Sequence, residues 1–355
     1  MEKNNKPTKT IEPLEGEITS EVTLGLDEPI EFIDAEEVIY SKEGLEETPA
    51  FIESSTQAIT LEELETKCIV PCFATNELTL SHQEIARNLY QAAAEVYGLE
   101  NLSPLEFRVS HPISGRVGKA ALSKDIDSLL DSEKSLWFQR IACCFKVKNL
   151  TKTVCGQETN FCIGFIRSYH TTNLYSGKSA ERISLYCGTR VRLCSNMCLT
   201  LSGVRENLLC LTGMDVKENA LRMFESYSVH ADDDVKMLED LGHTSITPFE
   251  FCTLIGRLRY YMAMDTASKK SLPKIDLGDQ LCNEATRLFV NSHWGLQEGE
   301  SSVDLFRLLQ CFNEAAKNSY IHNWLTKNAQ CTELCLNLQK VLNGDQDNPY
   351  SWFLS

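Results

Sequence analysis

The sequence predicts an α+β fold: a central antiparallel sheet, a helical C-terminal half, and a disordered acidic N-terminal arm. Three observations predict it. Apolar residues recur with period two between residues 137 and 201, and with a helical period after Gly213. The charge is unevenly divided: the chain of 355 residues carries −16, and residues 1–70 hold 18 acids and five bases, a net −13, leaving −3 for residues 71–355. Residues 137–205 run the other way, with ten Lys or Arg against Glu158 and Glu181, a local +8.

The arm, residues 1–70, contains Pro7, Pro13, Pro29 and Pro49 and repeated Glu-rich steps, with little periodicity to bury. Such a composition favours disorder, and its apolar beads (Ile30, Phe32, Ile33, Val38, Ile39, Tyr40) suit folding onto a protein partner. An α+β domain with a basic sheet is expected over 71–213. It begins with Ser81-His82-Gln83-Glu84, which reads as a capping box opening a helix through Ile85, Leu89, Ala92, Ala93 and Val96, stopped by Gly98. Residues 104–117 read as extended, with a turn at Pro112–Gly115, followed by a short helix near 123–132.

Four period-two runs follow, at 137–148, 160–170, 182–187 and 190–201. The first puts Trp137, Ile141, Cys143, Phe145 and Val147 opposite Phe138, Arg140, Cys144, Lys146 and Lys148. The fourth puts Val191, Leu193, Met197, Leu199 and Leu201 opposite Arg190, Arg192 and Asn196. One apolar and one wet face are the expected reading of such alternation in an antiparallel sheet. Residues 214–355 are expected to be helical and packed on the sheet. Helices are expected at 215–230, from Thr247-Pro248-Phe249-Glu250 (a capping box with Pro at the first helical position), at 278–293, at 303–317, and at 320–342 before Gly344. The aromatic tail Tyr350–Leu354 is expected to dock on the core.

Fifteen cysteines are scattered without any Cys-x-x-Cys pair, most of them within apolar runs where a thiol acts as a small hydrophobe. No run approaches 18 apolar residues, and the N-terminus lacks the apolar core of a secretory signal, so a cytoplasmic protein with reduced thiols and no membrane span is expected. There is no Gly-x-x-x-x-Gly-Lys and no Gly-x-Gly-x-x-Gly, so no phosphate loop is read. His230 beside Asp232, Asp233 and Asp234 reads as a helix start rather than a metal site, since adjacent side chains do not converge. Cys194 and Cys198 flank Asn196 without a base to activate them. Catalytic residues, metal and cofactor are therefore assigned to no position.

The basic face is the reading that points to a function. Arg140, Lys146, Lys148, Arg182, Arg190 and Arg192, with Phe138 and Tyr186 as flat rings, would offer cations to phosphates and faces to bases. His170, Asn173 and Tyr175 lie in a polar loop after a strand, a common place for functional groups.

Several strings together carry a resemblance: FRVSHPISGRVGK from Phe107 to Lys119, Ser135–Phe138, Arg167–His170 with Asn173–Tyr175, Arg192–Asn196, Leu254–Tyr260, Ala316–Ile321 and the terminal Tyr-Ser-Trp-Phe-Leu. Over residues 71–355 the chain resembles an uncharacterised family of Bacteroides and relatives, itself distantly similar to phage- and plasmid-like proteins of mobile elements. Ser195-Asn196 stands where that family more often has Thr-Asn. The resemblance implies a mobile-element origin and brings no activity. The expected function is a non-enzymatic accessory protein binding DNA or RNA; the alternative is a protein-interaction module, such as a counter-defence factor, using the acidic arm.

Overall fold

The computed structural model describes residues 49–54, 56–68, 80–116, 123–169 and 180–355. In chain order the elements are β1 (Gln57–Ile59), α1 (Leu61–Lys67), α2 (His82–Tyr97), β2 (Glu106–Val109), β3 (Pro112–Arg116), β4 (Lys134–Phe138), β5 (Arg140–Val154), β6 (Gln157–Ser168), β7 (Glu181–Val191), β8 (Met197–Cys198) and β9 (Val204–Cys210). Then come α3 (Gly213–Ser228), α4 (Ala231–Asp240), β10 (Ser245–Ile246), α5 (Pro248–Ala263), α6 (Asp279–Asn291), β11 (Val303–Asp304), α7 (Leu305–Ala316) and α8 (Ile321–Leu342). The fold is α+β, as expected.

The sheet runs β1-β2-β5-β6-β7, and β7 pairs with both β8 and β9 along its outer side. Every pairing in it is antiparallel. Its long members, β5 and β6, are joined by a tight turn in which Cys155 (φ 47°) and Gly156 (φ 76°) both take the left-handed region that such a two-residue hairpin requires.

Both faces of this sheet are buried, which corrects the expectation of one wet face. Ile141, Cys143, Phe145 and Val147 of β5 share a core with Ile85 and Leu89 of α2 and with Val216, Ala220 and Phe224 of α3. The intervening Ala142 and Cys144 face a second core built with Trp324, Leu334 and Leu338 of α8 and with Leu308, Leu309 and Phe312 of α7. Alternation shows that successive side chains point to opposite faces; it does not show what covers each face. Tyr186 illustrates the cost of that ambiguity. Its ring fills the space above Gly164, where a Cβ would collide, and its hydroxyl donates to the Cys143 carbonyl at 2.8 Å.

Further expectations change. The fourth run is not one continuous strand: β7 ends at Val191, the chain turns through Ser195 (φ 59°) with Val191 N donating to Asn196 O at 2.9 Å, and Met197–Cys198 returns as β8. Leu193 and Leu201, expected on the apolar face, are 66% and 61% exposed. Pro112–Gly115 is strand rather than turn, paired with β4, and the short helix near 123–132 is two 3-10 turns. Residues 49–68, assigned from sequence to the arm, belong to the body. Phe51 and Ile52 lie in the core under α7 and α8, Leu61 and Leu64 in the core under α2, and Glu53 N and Ser54 N donate to Lys317 O. The arm before residue 49 lies outside the described residues.

Helix boundaries follow their local chemistry. Thr247 and Glu250 form the reciprocal capping box with Pro248 at the first position. Ser81 caps α2 through Glu84 N, but the Glu84 carboxylate reaches Gly213 N at 3.2 Å instead of returning to Ser81, and so ties α2 to the start of α3. The tail docks as expected. Phe353 is fully buried, and the Arg257 guanidinium lies 4.9 Å from the Trp352 ring.

Candidate nucleic-acid interface

The eight residues of the expected basic face are dispersed by the fold. Arg190, Tyr186 and Phe138 are in the interior, at 1%, 0% and 3% exposure, and are not available to a ligand. Phe138 sits in the core under α2 because β4 ends there and β5 starts afresh at Arg140, breaking the alternation. Arg190 is held by Glu106 (Nη1–Oε1 2.9 Å) and Ser195 (Nη2–Oγ 2.9 Å), with Cys144 Sγ 3.7 Å from Nη1. Burial opposes its charge, but Cys144 and Glu106 beside it hold its pKa above the ordinary value.

The other five occupy different ends of the sheet. Arg192 is exposed beyond β7 and paired with Glu158 at 3.0 Å. Lys148 is exposed and donates to Glu100 O at 3.3 Å. Lys146 is half-buried beside it on the α7–α8 side of β5, opposite Cys162. Lys146 lies six residues from Arg140 along β5, about 20 Å at strand rise.

Arg140 and Arg182 stand on one row of the sheet, on either side of β6. Arg140 of β5 stands opposite Ser168 of β6. Arg182 of β7 lies one step beyond the Ile183–Arg167 pair, so it faces Ser168 from the other side, and it is itself opposite Leu209 of β9. The two guanidinium groups thus share one row at the end of the sheet, on the face that α8 covers. Among the described residues neither forms an ion pair, and Arg140 Nε is buried without a hydrogen-bond partner. Tyr320, 60% exposed just before α8, lies with its ring 5.9 Å from the Arg140 guanidinium. Arg108, half-buried in the neighbouring row, donates to Thr56. Tyr320 was missed in the sequence because no local signal ties it to a strand 180 residues away. His170, Asn173 and Tyr175 lie outside the described residues.

On the opposite face of the same strand ends a buried ion pair does structural work. Arg167 and Glu181 pair with each other; Arg167 Nη1 donates to Leu80 O, and Glu181 Oε1 accepts from Leu80 N at 2.9 Å. Together they clamp the residue that leads into α2.

The remaining candidates resolve as structure. Asp234 is buried in the first turn of α4 and accepts from Thr200 and from Ser202, the latter at 2.6 Å; Asp232 and Asp233 are exposed. Among the described residues no cluster of His, Cys, Asp or Glu fits a metal ion. Cys198 is buried against the amides of Gln310 and Asn313, and burial pushes its thiol up to about 12, the wrong direction for a nucleophile. Among the described residues, no helix is long and apolar enough to cross a membrane.

Comparison with curated proteins finds no match, and neither does comparison with solved structures. The family whose model matches begins well inside the arm and takes in the sheet, the Arg140–Arg182 row and every helix described above. Its span of residues 32–354 shows that the chain belongs to DUF3871, described as a domain of unknown function, B. Theta gene description.

Proposed function

We propose that this chain is a non-enzymatic nucleic-acid-binding protein that engages its ligand at the end of the sheet. The observation that carries the reading is the row in which Arg140 and Arg182 flank Ser168, unpaired with acids among the described residues, beside the exposed ring of Tyr320. Two phosphates of a single strand would neutralise the two guanidinium groups, and a base would stack on Tyr320. With residues 49–68 counted in it, the body (49–355) carries −6, which suits a modest single-strand binder better than a tight duplex binder. An accessory role on a mobile element, in replication, annealing or transfer, rests on the sequence resemblance alone. Within this reading the acidic arm, −10 over residues 1–48, is a competitor for the same row.

A second reading, a protein-interaction module, is favoured by Leu209, Leu211 and Met214. They are 61%, 63% and 58% exposed where β9 leaves the sheet edge and α3 begins. Fluorescence anisotropy with labelled single-stranded and duplex oligonucleotides separates the two. Changing Arg140 and Arg182 together to Gln is expected to weaken single-strand binding tenfold or more, while Arg192→Gln changes little. Equal affinity of the wild type and the double variant would leave the protein-interaction reading standing.

A further inference from the structure

A cavity of about 440 Å³ opens where the β5–β6 turn meets the C-terminal end of α4 and the start of α7. Trp294 and Phe306, 5% and 1% exposed, supply its apolar wall. Glu239, Asp304, His243 and His293 supply polar edges. The sequence gives no sign of it, because its walls come from segments about 150 residues apart.

The charge of this cavity is one-sided. Arg307 lines it too, but its guanidinium is fully engaged. Nη1 and Nη2 each meet Glu300 at 2.9 Å, Nε donates to Trp294 O at 3.2 Å, and Nη2 also donates to Gly295 O. Glu300 takes up most of that cation, so Asp304 is compensated only by a long Arg307 contact, and Glu239 has no ion pair among the described residues. Asp304 uses Oδ1 to cap α7 through Arg307 N at 2.9 Å, while Oδ2 stands 4.0 Å from Arg307 Nε, the limit of an ion pair. Burial holds the Asp304 carboxyl above its ordinary range despite those contacts. Burial also pushes the Cys155 thiol, at the cavity's edge, up to about 11, so no thiolate competes there.

We propose that this cavity binds a small organic cation, an alkylammonium or guanidinium group that pairs with Asp304 and Glu239 while its carbon stem lies against Trp294 and Phe306. Carboxylates beside aromatic faces are the usual receptors for such cations. The same chemistry is offered by a free amine and by a Lys or Arg side chain of a peptide. This proposal is independent of the nucleic-acid reading.

The test is a titration of the full chain, followed by the ¹⁵N–¹H indole signal of Trp294, assigned with Trp294→Phe. That indole Nε1 is buried and has no hydrogen-bond partner among the described residues, so it reports on this wall. The probes are agmatine, n-butylamine, a blocked Gly-Arg-Gly peptide and uncharged n-butanol. Saturable shifts with the cations, weakened at least tenfold in Asp304→Asn, are expected. Asn preserves the helix cap, so this variant is expected to fold. A tighter response to the peptide than to agmatine would assign the cation to a protein partner, and the reverse to a free amine. The proposal is overturned if butanol shifts Trp294 as strongly as butylamine, if Asp304→Asn binds as well as wild type, or if nothing saturates by about 10 mM, weaker than the roughly −3 kcal/mol such a contact should give.

Discussion

Arg190 lies between Glu106 and Ser195 with 1% of its surface exposed, whereas Arg192, two residues on, holds Glu158 in open solvent. Strand position makes the difference: Arg190 is still within β7, under Phe51, and Arg192 is past its end. Removing one partner of a buried pair strands the other charge, so Arg190→Met is expected to cost about 3 kcal/mol, while Arg192→Glu changes stability by less than about 0.5 kcal/mol. Urea melts of the two variants check this, and comparable midpoints would show Arg190 to be no part of the core. His82 gives a pH signature. Burial first, and the Arg167 charge second, push its pKa down to about 3, with Nε2 held by Phe138 O at 2.9 Å. Between that value and the unfolded value near 6.5, the unfolded chain binds a proton that the folded chain refuses. Stability therefore falls as pH falls through this window, by about 1.4 kcal/mol per unit at full slope. Between pH 7 and pH 5 the wild type is expected to lose about 2 kcal/mol more than His82→Gln; equal losses in urea melts at the two pH values would exclude His82 as the cause.

At the scale of elements, the helical half was legible because its signals are local. Thr247-Pro248-Phe249-Glu250, Gly344 and the apolar stripes mark ends and faces within a few residues, and α5, α6, α7 and α8 fall within two residues of their expected spans at most ends. The sheet's faces were not legible. Arg190, Tyr186 and Asn196 are polar and alternate as a wet face would, yet each is buried and bonded inside: Arg190 to Glu106, Tyr186 to Cys143 O, Asn196 to Gln310 O. Their partners lie 43 to 114 residues away in sequence. The limit of the arm was misread for a similar reason. Phe51 and Ile52 carry no period of their own, and become core only by docking against α7 and α8. Deleting residues 1–31, which precede the family match, is expected to leave the melt unchanged. Deleting 1–66 also removes Phe51, Ile52, β1, Leu61 and Leu64, and is expected to cost at least about 3 kcal/mol or to leave an insoluble chain. A 1–66 deletion that melts like the full chain would return residues 49–66 to the arm.

For the molecule as a whole, the distribution of charge matters more than its sum. Of the ten Lys and Arg in residues 137–205, Arg167 and Arg190 are paired in the interior, Lys152 pairs with Asp232 and Arg192 with Glu158 at the surface, and Arg140 and Arg182 stand without an ion pair among the described residues at one end of the sheet. Two cations predict a shallow electrostatic dependence. The most direct measurement is the affinity of the full chain for a single-stranded oligonucleotide across a salt series, for wild type and for the Arg140→Gln, Arg182→Gln double variant. The account predicts a wild-type slope of about −1.4 in log K against log salt, from roughly 0.7 per phosphate contacted, and a slope near zero in the double variant. A wild type that does not bind at low salt, or a slope that the double substitution leaves unchanged, would contradict it.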